Sequence, residues 1–194
     1  QEQGIETRTG VGVSGMLDLA RNWALWSGHY AGEVAALTRR LPALVAMARR
    51  RNNYYALANF ANISLPALAA DDPGRAEEEM REAMSHWSRH GFHLQHLYAI
   101  HSQLQCHLYR GDGVTAWDYV GQQWPVIVKS FLLRVQIIRG LWHHARARSA
   151  LAAATAVADF EPLVRQAERD ARRLEKENMP WIDPLARTTR AAIA

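Results

Sequence analysis

Asp71-Asp72-Pro73-Gly74, followed by Arg75-Ala76-Glu77-Glu78-Glu79-Met80-Arg81-Glu82-Ala83-Met84-Ser85-His86-Trp87, is the stretch whose reading decides the fold. Asp72 stands where an N-cap carboxylate accepts a hydrogen bond from a backbone N–H, and Pro73 takes the first helical position, where its missing N–H costs nothing. Glu77, Glu78, Glu79 and Glu82 load the start of the helix with negative charge, which the helix dipole favours. The helix is expected to run through Met80, Ala83, Met84 and Trp87 to a stop at Gly91.

The same grammar recurs in both directions. Upstream, Gly28 closes an apolar run from Met16 that contains Leu17, Ala20, Trp23, Ala24 and Trp26. Then come a helix over about 33–51, with Pro42 predicting a kink or short break, and a third over about 53–69 whose last turn Pro66 should bend. Downstream, a helix over 92–110 stops at Gly111, and Asp112 caps the next, which carries Ala116, Trp117, Val120, Trp124, Ile127 and Val128 inward and meets Pro125 part-way. Runs over about 131–154 and 160–178 follow, and Asp183-Pro184 repeats the cap-plus-proline start for a last, short helix. Short alternating β-branched runs joined by hairpin turns are missing, so the expected class is all-α with eight to nine helices.

Gly32, Gly74 and Gly113 lie 42 and 39 residues apart, and Tyr54, Phe92 and Phe131 lie 38 and 39 apart. A helix-loop-helix unit repeating at that period points to a stacked array of antiparallel hairpins, which shares one continuous core and offers a concave face to a partner. The expected organisation is a flexible leader over 1–15 and one helical-repeat domain over 16–194, with units 16–52, 53–91, 92–130 and 131–179 and a truncated helix over 180–194. The polar start and the uncapped end Ala191-Ala192-Ile193-Ala194 suggest a fragment of a longer protein.

Composition narrows the function. With 48% hydrophobic residues in 194, the chain can bury a sizeable core and disorder is not expected. The single Cys106 and the lack of a secretory signal pattern suggest a reducing, cytoplasmic setting. The most apolar stretch, 126–142, contains Lys129, Arg134 and Arg139, which argues against a membrane span. The net charge of +4 is a mild bias toward acidic partners. Arg49-Arg50-Arg51 complements the negative end of a helix dipole, so it weighs little for nucleic acid.

No chemistry-bearing motif survives inspection. Gly10-Val11-Gly12-Val13-Ser14-Gly15 spells G-x-G-x-x-G before a helix, but a dinucleotide fold needs a buried strand ahead of it, and Glu6-Thr7-Arg8-Thr9 is polar. His86 and His90, His93 and His96, and His143-His144 could pair around zinc or nickel, but His-Glu-x-x-His is missing and the sequence holds no second cysteine. They read as surface or groove histidines and the seven tryptophans as knobs between helices. The expectation is therefore no enzyme, no metal and no cofactor.

Ala76 and Ala116 occupy matching places after the turns at 71–74 and 111–113, where small residues let two helices approach closely, as in tetratricopeptide repeats. Residues 20–194 resemble the C-terminal repeat region of large bacterial serine/threonine protein kinases that also carry an ATPase module. The phrases that carry the resemblance are Trp87-Ser88-Arg89-His90-Gly91-Phe92-His93, Leu108-Tyr109-Arg110-Gly111-Asp112-Gly113, Trp124-Pro125 and Ser130-Phe131-Leu132-Leu133-Arg134-Val135-Gln136. It implies a right-handed tetratricopeptide-like α-solenoid that docks or senses within a signalling protein, with no kinase activity of its own. In such arrays the first helix of each unit lines the groove, which nominates Asn59, Asn62, His93, His96, Gln103, His107, Arg134, Gln136 and Arg139 for a peptide backbone or carboxylate. The expected partner is a protein or peptide, another domain of the same polypeptide, or a second copy. A small-molecule effector regulating an attached ATPase or kinase is the alternative, and an enclosed apolar pocket would favour it.

Overall fold

The computed structural model describes residues 11–194, with side chains from residue 15 onward. Among the described residues there are ten α-helices, one 3-10 turn and no strand. The chain divides into two compact units that meet between Arg89 and His90.

The first unit holds α1 (Val11–Tyr30), α2 (Val34–Arg50), α3 (Tyr54–Phe60), α4 (Leu65–Ala69) and α5 (Pro73–Ser85). Helix α1 takes in residues 11–15, read above as leader, so Gly12 and Gly15 belong to a helix and not to a phosphate loop. Helix α2 continues through Pro42 without the short break, burying Leu37, Leu41, Val45 and Ala48 on one stripe. The helix expected over 53–69 is two helices. Asn62 and Ile63 lie outside helical structure between them, and Pro66 sits in the first turn of α4, where its ring is tolerated, in place of bending a last turn. Asp72 caps α5 as expected, its Oδ1 accepting from the Arg75 N–H at 3.0 Å. That helix ends at Ser85, before Trp87. Helix α2 packs on α1, α3 and α4, and the unit's core is built from Leu25, Trp26, Leu57 and Phe60 with the α2 stripe.

The second unit holds α6 (Leu94–Tyr109), α7 (Gly113–Lys129), a 3-10 turn (Leu132–Arg134), α8 (Gln136–Ala154), α9 (Glu161–Lys176) and α10 (Asp183–Ile193). Helix α8 is its centre, packed against α6, α7, α9 and α10. Leu97, Ile100 and Leu104 from α6, Val120 and Ile127 from α7, and Ile138 and Trp142 from α8 form the main core, each large aliphatic side chain contributing roughly 1.5–3 kcal/mol by leaving water. Cys106 is fully buried on α6. Asp112 caps α7 through the Thr115 N–H, and Gly113 follows for a steric reason: a Cβ there would lie 2.3 Å from the carbonyl carbon and oxygen of Ala152 on α8. Ala76 and Ala116 are likewise buried. Phe131, between α7 and the 3-10 turn, holds φ at +62°, a left-handed conformation that costs a bulky L-residue strain.

Candidate binding surfaces

The nine groove candidates divide sharply. Asn59 and Asn62 are buried, their Nδ2 groups donating back to the carbonyls of Tyr55 and Ala58 one turn earlier. They close the end of α3 and present no amide to a groove. His93 and His96 form a helix start: the His93 N–H donates to His96 Nδ1 at 3.0 Å, fixing the entry to α6. Gln103 and His107 are half-buried and bonded to each other at 3.2 Å, with the His107 ring 5.6 Å from that of Tyr119. Gln136 donates to the Glu177 carbonyl, and Arg139 grips the Glu177 carboxylate with Nε and Nη2 while Nη1 donates to the Leu133 carbonyl at 3.0 Å. Those bonds from Arg139 hold the Glu177 carboxyl below its usual range and tie α8 to the end of α9. Arg134 is exposed, its guanidinium 4.6 Å from the centre of the Phe131 ring.

A polar cluster in the second unit escaped the sequence reading. Asp170 on α9 is fully buried and accepts from Arg146 Nε at 2.8 Å and Nη2 at 2.6 Å, from His143 Nδ1 at 2.7 Å and from Gln166 Nε2 at 2.8 Å. Burial pushes its carboxyl upward, but the hydrogen bonds from His143, Arg146 and Gln166 outweigh that and leave it below the ordinary carboxylate range. The Trp124 ring on α7 covers both the Arg146 guanidinium and the His143 ring. His143, read as a surface or groove histidine, is therefore a core residue. A saturated carboxylate sealed from solvent pins three helices together and offers nothing to a substrate.

In the first unit Asp18 plays a similar part, accepting from Arg21 Nη1 at 3.1 Å and from Asn53 Nδ2, while Asn53 Oδ1 caps α3 through the Ala56 N–H. The core side of α1 thus carries Asp18, Arg21 and Asn22 beside Leu25 and Trp26, all buried. Its outer side is the inverse. Met16, Leu19, Trp23 and Tyr30 are 72%, 43%, 53% and 46% exposed, and the residues between them on that side are Ala20, Ala24 and Ser27. That face has no charge.

A cleft of about 180 Å³ also lies within the first unit, walled by Leu41, Pro42, Val45, Ile63 and Pro66 and carrying Arg49, Arg75 and Glu79. Burial raises the Glu79 carboxyl, with Arg75 and Arg49 opposing it. Arg49 is engaged bidentately by Glu82. Among the described residues, no three His, Cys, Asp or Glu side chains are grouped to hold a metal ion, and no helix is long and apolar enough to cross a membrane. Comparison with protein-family models, with curated proteins and with solved structures returned no match.

Proposed function

We propose that this chain is a non-catalytic protein-interaction module, a right-handed tetratricopeptide-like stack of helix hairpins within a larger cytoplasmic signalling protein of the kind its sequence resembles. The observation that carries this reading is the outer face of α1. Helix α1 buries Asp18 and Arg21 and turns Met16, Leu19 and Trp23 outward. A contiguous uncharged face of that kind is the mark of a surface made to be covered.

The test is a photo-crosslinking amino acid placed at Leu19 in the protein as its own cell makes it, with adducts identified by mass spectrometry. Protein adducts that disappear when Met16 and Trp23 are both changed to Glu support the module. Unreacted or water-quenched probe alone removes it.

A second reading, an effector-sensing domain, draws on the cleft beside Pro42. An apolar wall beside the Arg75 guanidinium suits a small apolar carboxylate that displaces Glu79, although Arg49 is held by Glu82 and the volume is below the roughly 300–1,000 Å³ of typical ligand sites. Amide shifts of Ile63 and Val45 on titration with short-chain fatty acids, abolished by Arg75→Ala, would support it. Unmoved amides would retire it.

A further inference from the structure

The outer face of α1 repeats with a period of seven, and its two rows differ in size. Met16, Trp23 and Tyr30 form one row of large side chains, and Ala20 and Ser27 form the neighbouring row of small ones. A seven-residue apolar stripe is the seam along which two helices pack side by side. When two such helices run parallel, like rows meet: large opposes large and small opposes small. When they run antiparallel, each layer joins one row to the other.

From this we infer that the occupant of the face is a second copy of the same chain, paired antiparallel through α1 about a two-fold axis between Arg21 and Asn22; this rests on the reading of α1 as an interaction surface. With the axis there, Trp23 meets Ala20 of the second copy and Met16 meets Ser27, and the two-fold operation repeats both layers. Every one of those layers holds one large and one small side chain, so the helices can close to the short end of the usual 8–10 Å separation without voids. Leu19 and Ala24 flank the seam. No charged group lies on the stripe, so bringing it against its own copy opposes no like charges.

The area is consistent with self-pairing. Trp23 and Tyr30, each about half exposed, leave roughly 200 Å² open, and Met16 and Leu19 raise this to about 400 Å². Two copies and their small-residue rows approach the lower bound of specific interfaces, about 1,000–1,200 Å². An interface at that lower bound makes a weak, reversible dimer.

Sedimentation of the full chain up to about 100 µM, a range that detects dissociation constants of micromolar order, tests the pairing. The wild type is expected to dimerise. Ala20→Trp places two large rings in one layer and Trp23→Ala empties it, and each should weaken the dimer on the order of 100-fold, because every substitution occurs twice across the axis. The double variant A20W/W23A restores one large and one small residue per layer and should return to within about tenfold of wild type. Circular dichroism checks that all three variants fold, as expected for changes on an exposed face. A monomeric wild type overturns the inference, as does a dimer that Ala20→Trp leaves intact or a double variant that stays monomeric. If pairing fails while the Leu19 probe still marries another protein, the interaction module stands and only its occupant is wrong; if both fail, both readings go.

Discussion

The guanidinium carbon of Arg146 lies 3.6 Å from the centre of the Trp124 ring. Its face is thus covered by the indole while its edge delivers two hydrogen bonds to Asp170, so one side chain on α8 holds α7 and α9 together. Only arginine combines a planar cation that stacks with a fork that matches a carboxylate.

Removing one member of this buried group should cost more than the group itself contributes, because the remaining charge is left stranded. Asp170→Asn is expected to destabilise the second unit by about 3–5 kcal/mol, and Arg146→Lys by less. Urea denaturation followed by Trp fluorescence measures both; a change under 1 kcal/mol for Asp170→Asn would show that the cluster is not structural.

Acid should loosen each unit through one histidine. Burial lowers both His29 and His144 to about 4 from 6.5, with Arg148 adding to the effect at His144. Between those values the unfolded chain takes up protons that the folded chain refuses, so this stability is complete above pH 6.5 and falls as the pH drops toward 4, by about 2 kcal/mol per histidine at pH 5. Asp170, held below its ordinary value, keeps its contribution above about pH 4 and loses it only beneath that. Unfolding free energies at pH 7 and pH 5 should converge in His29→Gln and His144→Gln relative to wild type; equal slopes in all three proteins would refute the assignment.

Two glycines of α7 should respond in opposite directions. Gly113→Ala drives a methyl into the Ala152 backbone and is expected to cost at least 2 kcal/mol, since backbone cannot step aside as a side chain can. Gly121 has open space around the position of a Cβ, so Gly121→Ala should stabilise by about 0.5–1 kcal/mol through helix propensity. Thermal melts of the pair decide this.

Phe131 is 64% exposed in a left-handed conformation, unlike Asn52, Asp71 and Asn178, whose side chains tolerate positive φ. Phe131→Gly is expected to raise stability by roughly 1 kcal/mol, less what the Arg134 stack contributes. A marked loss instead would place the ring in an undetected packing role.

Helix starts were legible because caps are local chemistry: Asp72 and Asp112 each bond an N–H three residues on, as their neighbours imply. The all-helical class followed from the same signals. The break after Ala61 was not legible, since Pro66 reads alike as a bend late in one helix or the first turn of another. The groove candidates were chosen for polarity on a helical stripe, which cannot distinguish an amide facing water from Asn59 or Asn62 bonding its own backbone in the interior. Asp170 and Asp18 were invisible for the complementary reason: beyond Gln166 and Arg21 on their own helices, their partners lie 24 to 35 residues away, and only tertiary structure supplies Arg146, His143 and Asn53. The same blindness hid the polarity of α1, where an apolar stripe was evident but its direction was not.

Cys106, enclosed on α6, gives the second unit a native clock. A thiol sealed this completely reacts with a disulfide reagent only during moments when α6 parts from its neighbours, so the labelling rate at neutral pH reports how often that happens. Since no other sulfhydryl competes along the sequence, breathing of that helix can be timed on the unaltered polypeptide.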